Sequence, residues 1–295
     1  MADFVISGSS TADLTAEHFE KRDIKYICYK YLLDGKEYID DFGKSLSFKD
    51  FYQALRDGVE AKTWQINSST ICDYFRPFLQ DGKDVIHLTL SSGLTGGYNS
   101  VVLAAEQLKE EFPERTVYVL DSLGASSGYG MILEKMADLR DEGKTPQEIC
   151  DWVNEHRLNM HYEFFSTDLT FYIKGGRISK ASGMVGTLLG ICPLMDMNSE
   201  GKLIPRQKIR TKKKVIKKIV ERMEDQADDG LEYSGKCYIC HSDCYDDALY
   251  LKSLIEEKFK NIDGEIEIFD IGTVIGSHSG PGTAAAFFWG KTRTL

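Results

Sequence analysis

The 295-residue chain carries 42% apolar and 28% charged residues and a formal net charge of -10. It is too long for one typical core and fits two domains of about 150 residues each. The acidic balance argues against general nucleic-acid binding, no apolar run reaches the length of a transmembrane helix, and the opening MADFVISGSS lacks the pattern of a secretion signal. Seven cysteines without a framework spacing fit reduced thiols and a cytoplasmic location.

In chain order, Phe4 to Ile6 reads as a first strand, followed by a run of small hydroxyl residues from Ser7 to Thr11 and a short helix after Asp13. Ile24 to Leu32 reads as a second strand closed by the turn pair Asp34-Gly35. Ser47 to Gly58 is amphipathic, with Phe48, Phe51 and Leu55 on one side, and Lys62 to Asn67 is a short extended piece before a helix capped by Ser68-Ser69-Thr70. Val85 to Leu90 is a strand that runs into Ser91, Ser92 and Gly93 and then Gly96-Gly97, with a helix from Tyr98 to about Glu111. A strand at Thr116 to Leu120 meets a second turn of the same design, Asp121 to Gly128, and Thr145-Pro146 starts the last helix before a boundary near residue 158. The reading is therefore α/β, with an N-terminal domain over 1–158, mainly a parallel sheet with helices on both faces.

The second half, 159–295, reads as a split α/β domain. A strand at Tyr162 to Ser166 precedes a Gly175-Gly176 break, Arg177-Ile178-Ser179 and a small, apolar stretch from Ser182 to Gly190. Ile191 to Met197 and Leu203 to Arg210 form a hairpin, Thr211 to Met223 a helix, Lys236 to His241 a strand, Tyr245 to Lys260 a helix and Glu265 to Phe269 a strand. Gly276 to Gly282, reading GSHSGPG, is expected as a turn before a final apolar strand from Thr283 to Trp289.

Two strands that end in hydroxyl-rich turns predict donors along one sheet edge, where open α/β sheets bind their ligands. The helix start after Ser91-Ser92-Gly93 leaves free N–H groups and the positive dipole end, so an anion is the natural guest. Ser92 as a plain N-cap, with the glycines easing helix–sheet packing, accounts for the same residues. No Walker A lysine is present, which argues against a nucleotide module. Cys237-x-x-Cys240-His241 matches a haem-attachment pattern, but on a strand the two cysteines face opposite sides. Gly124 to Gly128 matches G-x-S-x-G, so a serine hydrolase using Ser126 with Asp270 and His278 is the alternative reading, weakened by the distance of Ser126 from its strand. His278 in its glycine-bounded turn reads as a donor to an anionic ligand, and Arg177 as an anion clamp or a surface arginine. Between Arg206 and Lys218 eight of thirteen residues are Lys or Arg, either a solvated face or a docking surface for an acidic partner.

Together the motifs SSGLTGGYNS (91–100), DSLGASSGYG (121–130), KGGRIS (174–179) and GSHSGPGT (276–283), with SSTADL (9–14) and the strand carrying Thr63 as looser matches, resemble the DegV family of bacterial fatty-acid-binding proteins. The resemblance implies two α/β domains with one long-chain fatty acid buried between them, no metal and no cofactor. It implies that Thr63, Ser92 and His278, with Ser91 beside them, hold the carboxylate, and that Arg177, Gly93, Ser122 and Ser277 lie near the site. It also implies a carrier without a catalytic step of its own, which presents the acyl chain to the catalytic subunit of a fatty acid kinase. The chain departs from the family pattern at Ser9, where Asp is usual, and at Trp64 and Ile66 beside Thr63, where the pattern is TSQP.

Overall fold

Short runs rich in Val, Ile, Leu, Tyr and Phe, broken by glycine and hydroxyl turns, become strands, and the longer 3.6-period stretches between them become helices. The computed structural model describes residues 3–179 and 191–295, so the apolar stretch expected at Ser182 to Gly190 lies outside the described residues. The first elements are β1 (Phe4–Ser9), α1 (Ala16–Lys21), β2 (Ile24–Ile27), β3 (Lys30–Leu33), β4 (Lys36–Ile39), α2 (Phe48–Arg56) and β5 (Ala61–Thr63). Then come α3 (Ser68–Gln80), β6 (Asp84–Thr89), α4 (Gly97–Glu111), β7 (Val117–Asp121), α5 (Ser126–Asp141) and α6 (Pro146–His156). The remainder is β8 (Met160–Ser166), α7 (Thr170–Lys174), β9 (Ile191–Met197), β10 (Leu203–Arg210), α8 (Lys212–Gln226), β11 (Cys237–His241), α9 (Tyr245–Lys258), β12 (Glu267–Asp270), α10 (Thr273–Ser279) and β13 (Thr283–Trp289).

Three sheets result. Strands β2-β1-β6-β7 pair in parallel, and their outer face is covered by α3 and α4 through Ile71, Phe75, Val101 and Leu108. A second α/β domain is built on the six-stranded sheet β10-β9-β8-β13-β11-β12, antiparallel except for β11 with β12. Its back face packs α8 and α9 through Val215, Ile219, Leu251 and Ile255. The third sheet, β4-β3-β5, is small and antiparallel.

That small sheet corrects the expected strand from Ile24 to Leu32. The chain leaves the parallel sheet after Ile27 and pairs again only from Lys30, so one apolar run serves two sheets. Asp34 and Gly35, both at positive φ, then make the two-residue turn into β4, a strand that sequence reading missed. Helix α6 begins as expected, with Thr145 and Glu148 in a reciprocal capping box and Pro146 in the first turn.

Helix α5 lies between the parallel and six-stranded sheets, and a single core cluster joins Ile6, Ile86 and Leu88 of one to Tyr162, Phe164 and Phe287 of the other around it. It is buried on nearly every side, Ser126, Ser127 and Glu134 included. Gly128 is where it meets the second sheet most closely: a Cβ there would stand 2.4 Å from the Tyr162 ring and 2.7 Å from that of Phe287.

Candidate functional site

Alternation along three strands of the six-stranded sheet makes the wall of a cavity of about 390 Å³. Tyr162 and Phe164 of β8, Cys240 of β11 and Ala285 and Phe287 of β13 point into it, while Phe165, Cys237, Ile239, Ala286 and Phe288 point the other way onto α8 and α9. The β9–β10 hairpin closes one side with Met197 and Leu203. Cys237 and Cys240 thus face opposite sides of β11, as the strand period requires, and among the described residues no group of three or more metal-ligating side chains is assembled.

The polar part of the same cavity comes from elsewhere. Thr63 ends β5, His278 sits in α10 and Arg177 follows α7, and the three form one chain of hydrogen bonds. Arg177 Nη1 lies 3.2 Å from His278 Nδ1, and His278 Nε2 lies 2.7 Å from Thr63 Oγ1. A guanidinium only donates, so Nδ1 is the acceptor and Nε2 carries the proton that Thr63 Oγ1 accepts. The Thr63 hydroxyl hydrogen is then free to donate to a group in the cavity. Burial, reinforced by the charge of Arg177, pushes the His278 pKa down to about 4, so the imidazole is neutral near pH 7. Arg177 also donates to Gly175 O and forms no ion pair with any described residue. Burial lowers its pKa as well, which records the cost of holding a guanidinium there without a counter-ion.

Gly175 explains the Gly-Gly pair of KGGRIS: a Cβ at Gly175 would stand 2.5 Å from His278 Nδ1, and Gly176 takes φ +75°. The expected turn at GSHSGPG is a correction. Residues 273–279 are helical, and only Gly280, at φ +65°, ends the helix. His278 is therefore a half-buried helical residue rather than one in an exposed turn.

Thr63, Arg177 and His278 are brought together, but the serines do not join them. Ser91 Oγ donates to Gly201 O at 2.8 Å, across to the turn between β9 and β10. Ser92 is exposed and outside the cavity lining, with its backbone N–H on Asp121 at 3.2 Å. Gly93 is packed on the same hairpin turn, where a Cβ would stand 2.4 Å from Glu200 O. Ser122 Oγ is tied to Gly124 within its own turn, and Ser277 Oγ donates to Thr273 O one helical turn back. The two serine turns thus bond to each other and to the second domain. Asp121 holds both, and Ser91 N donates to Gly124 O.

The hydroxyl that does line the cavity from this stretch is Thr95, directly before Gly96 and the start of α4. Sequence reading passed over it. The available signal was its place next to the glycine pair that opens the helix, closer to the free N–H groups than Ser92. Thr95 Oγ1 accepts from Gly97 N at 3.3 Å, so the hydroxyl closes the first N–H of α4 and keeps its hydrogen for a group in the cavity, and Gln65, two residues from Thr63, lies against Gly96. A Cβ at Gly96 would stand 2.3 Å from Gln65 Oε1.

The alternative triad is not assembled. Ser126 Oγ donates to Asp13, Asp270 lies 3.6 Å from His241, and His278 is occupied by Thr63 and Arg177. Of the basic segment, Arg206 pairs with Asp196, Lys212 with Asp247 and Lys218 with Glu221. Arg210, Lys213, Lys214 and Lys217 are exposed and form no ion pair with described residues. Among the described residues no helix is long and apolar enough to cross a membrane.

The DegV family model, which describes its members as uncharacterised, matches residues 4–291. A DegV domain-containing protein of Clostridium perfringens is 36% identical over 293 residues, covering 99% of each chain. One from Lactococcus lactis is 31% identical, covering 96% of each. Among solved structures, a Thermotoga maritima protein reported to have a fatty-acid-binding function has a TM-score of 0.84 at 26% identity, covering 99% of this chain and 100% of that one. A DegV family protein from Thermus thermophilus, described by its fatty acid binding, has a TM-score of 0.86 at 25% identity, covering 98% and 99%. With the family model spanning nearly the whole sequence and relatives above 30% identity along the full length, this chain belongs to the DegV family.

Proposed function

We propose that the protein binds a long-chain fatty acid in the cavity between its sheets, with the carboxylate against Thr63, Thr95, Arg177 and His278. The observation that carries this is one apolar cavity with an unbalanced guanidinium at its polar end. A carboxylate supplies the missing charge and an acyl chain fills the rest. Each buried CH₂ contributes about 0.8 kcal/mol, so about 15 methylenes give an upper bound of roughly 12 kcal/mol. Lost motion and desolvation of the carboxylate remove several kcal/mol of that. The solved relatives named for fatty acid binding support the same reading. Denaturing mass spectrometry of the purified protein tests it: a released C14–C18 acid is expected. Recovery of no lipid, together with no uptake of a fluorescent fatty acid, sinks the proposal.

In this reading the protein is a carrier, with residues 1–158 and 159–295 as its two domains and the ligand between them. It works in the cytoplasm and presents the acid to the catalytic subunit of a fatty acid kinase. The unpaired cations Arg210, Lys213, Lys214 and Lys217 support an acidic docking partner, because they stand out from a chain of net charge -10. Seven free thiols fit a reducing compartment.

A further inference from the structure

Helix α10 has seven residues, too few to hold itself in place, so whatever anchors it sets where His278 stands. Its start is held by two carboxylates from the other end of the chain. Asp13 Oδ1 accepts from Gly272 N at 2.9 Å, and Asp40 Oδ1 accepts from Thr273 N at 3.0 Å and from Thr273 Oγ1 at 2.8 Å. These are among the N–H groups that a helix leaves without intrahelical partners, and the acidic groups sit at its positive end. Gly272 is pressed between them, since a Cβ there would stand 2.8 Å from Asp13 Oδ1 and 3.1 Å from Asp40 Oδ1.

The rest of α10 is gripped by the same neighbourhood. Val274 packs in one cluster with Tyr31, Phe51, Tyr52 and Leu55, and Tyr52 donates to Ile271 O at 2.6 Å. Although α10 lies in sequence between two strands of the six-stranded sheet, it is seated on the three-stranded sheet, α2 and α7. Asp40 directly follows β4, and β5, on the other side of β3, ends in Thr63. One small sheet therefore fixes both Thr63 and the origin of the helix that carries its partner.

We propose that Asp13 and Asp40 are positioning residues for His278: by anchoring Gly272 and Thr273 they hold its imidazole against Thr63 and so determine recognition of the ligand's carboxylate. This rests on the fatty-acid reading. His278 lies five residues beyond Thr273, about 7.5 Å along the helix axis, so a small tilt at the anchored end carries Nε2 out of hydrogen-bond range of Thr63. Asp13 has a second task, because its other oxygen accepts from Ser126 at the start of α5. Asp40 is the cleaner probe.

The test compares hexadecanoate with its methyl ester on the whole protein, with wild type, Asp40→Ala, Asp40→Asn and Thr273→Val in parallel. The ester keeps the acyl chain and loses the charge, so the ratio of the two affinities reads head-group recognition alone. Asp40→Ala should lower the acid-over-ester preference about tenfold and shift the ¹⁵N resonances of His278. Asp40→Asn, which keeps the accepting oxygen, should restore most of it, and Thr273→Val should lose part of it. A general loss of packing would weaken both ligands together and leave the ratio alone. Should Asp40→Ala fail to fold, a folded Thr273→Val protein with an unchanged ratio overturns the proposal. An unchanged ratio in folded Asp40→Ala overturns it as well, while a wild type that binds no hexadecanoate overturns the fatty-acid reading itself.

Discussion

The three-stranded sheet and the six-stranded sheet meet at one cavity with opposite chemistry. The first presents Thr63 and, through α10, His278, and its anchors are hydrogen bonds to buried carboxylates. The second presents Tyr162, Phe164, Ala285 and Phe287, a wall that is mainly apolar, with the Tyr162 hydroxyl and Thr283 as its polar atoms. Polar groups need defined angles and partners, whereas an apolar wall needs only shape and volume. Head and tail of an amphipathic ligand can thus be recognised by different parts of the fold, each altered without the other.

The largest test of that separation is to fill the tail side. Ala285→Phe intrudes into the cavity and should exclude about five methylenes of a C16 chain, a loss of about 4 kcal/mol in affinity. Shorter acids should be affected less, which a chain-length series by isothermal titration will show. A uniform loss at every chain length would mean that the wall and the polar end are coupled.

The polar end has its own pH signature. His278 has a folded pKa of about 4 against an unfolded value of about 6.5. Between those values the unfolded chain binds more protons, so stability falls as pH drops from 6.5 to 4 and is fully retained above 6.5. Relative to His278→Gln, which does not titrate there, the wild type should lose up to about 3 kcal/mol over this window. Chemical denaturation of both proteins at pH 7 and pH 4.5 measures the difference.

Removing single donors is a smaller change. Thr63→Ala, Thr95→Ala and His278→Ala should each weaken fatty-acid binding by roughly 1–3 kcal/mol, while Ser92→Ala should have no effect. Competition with a fluorescent fatty acid separates the two outcomes, and a Ser92 effect equal to that of Thr95 would return the anion site to the first turn. The smallest expected effect lies outside the cavity. On the proposed docking to a fatty acid kinase, charge reversal at Lys213, Lys214 and Lys217 should slow acyl-phosphate formation several-fold at low salt and leave fatty-acid affinity unchanged. Screening over a Debye length of about 8 Å in physiological salt should narrow that difference. Lys212 is left intact because it is paired with Asp247.

Much of this molecule is local and therefore legible in its residues. The hairpin from Ile191 to Arg210, the capping box at Thr145 and the final strand Thr283–Trp289 follow from alternation, turn chemistry and caps within a few residues. The family motifs likewise pointed to Thr63, Arg177 and His278, which stand together. What tertiary structure decided is where each hydroxyl spends its hydrogen bond. Ser91 and Ser92 have the composition of an anion site, yet one is bonded to a hairpin 110 residues away and the other faces solvent, so Thr95 takes the cavity position. The same holds for GSHSGPG, whose glycines read as a turn. It is a helix because Asp13 and Asp40, more than 230 residues earlier, satisfy the N–H groups at its start. Local propensity acts over a few residues, whereas satisfaction of buried polar groups is settled by whichever partners the completed fold brings near.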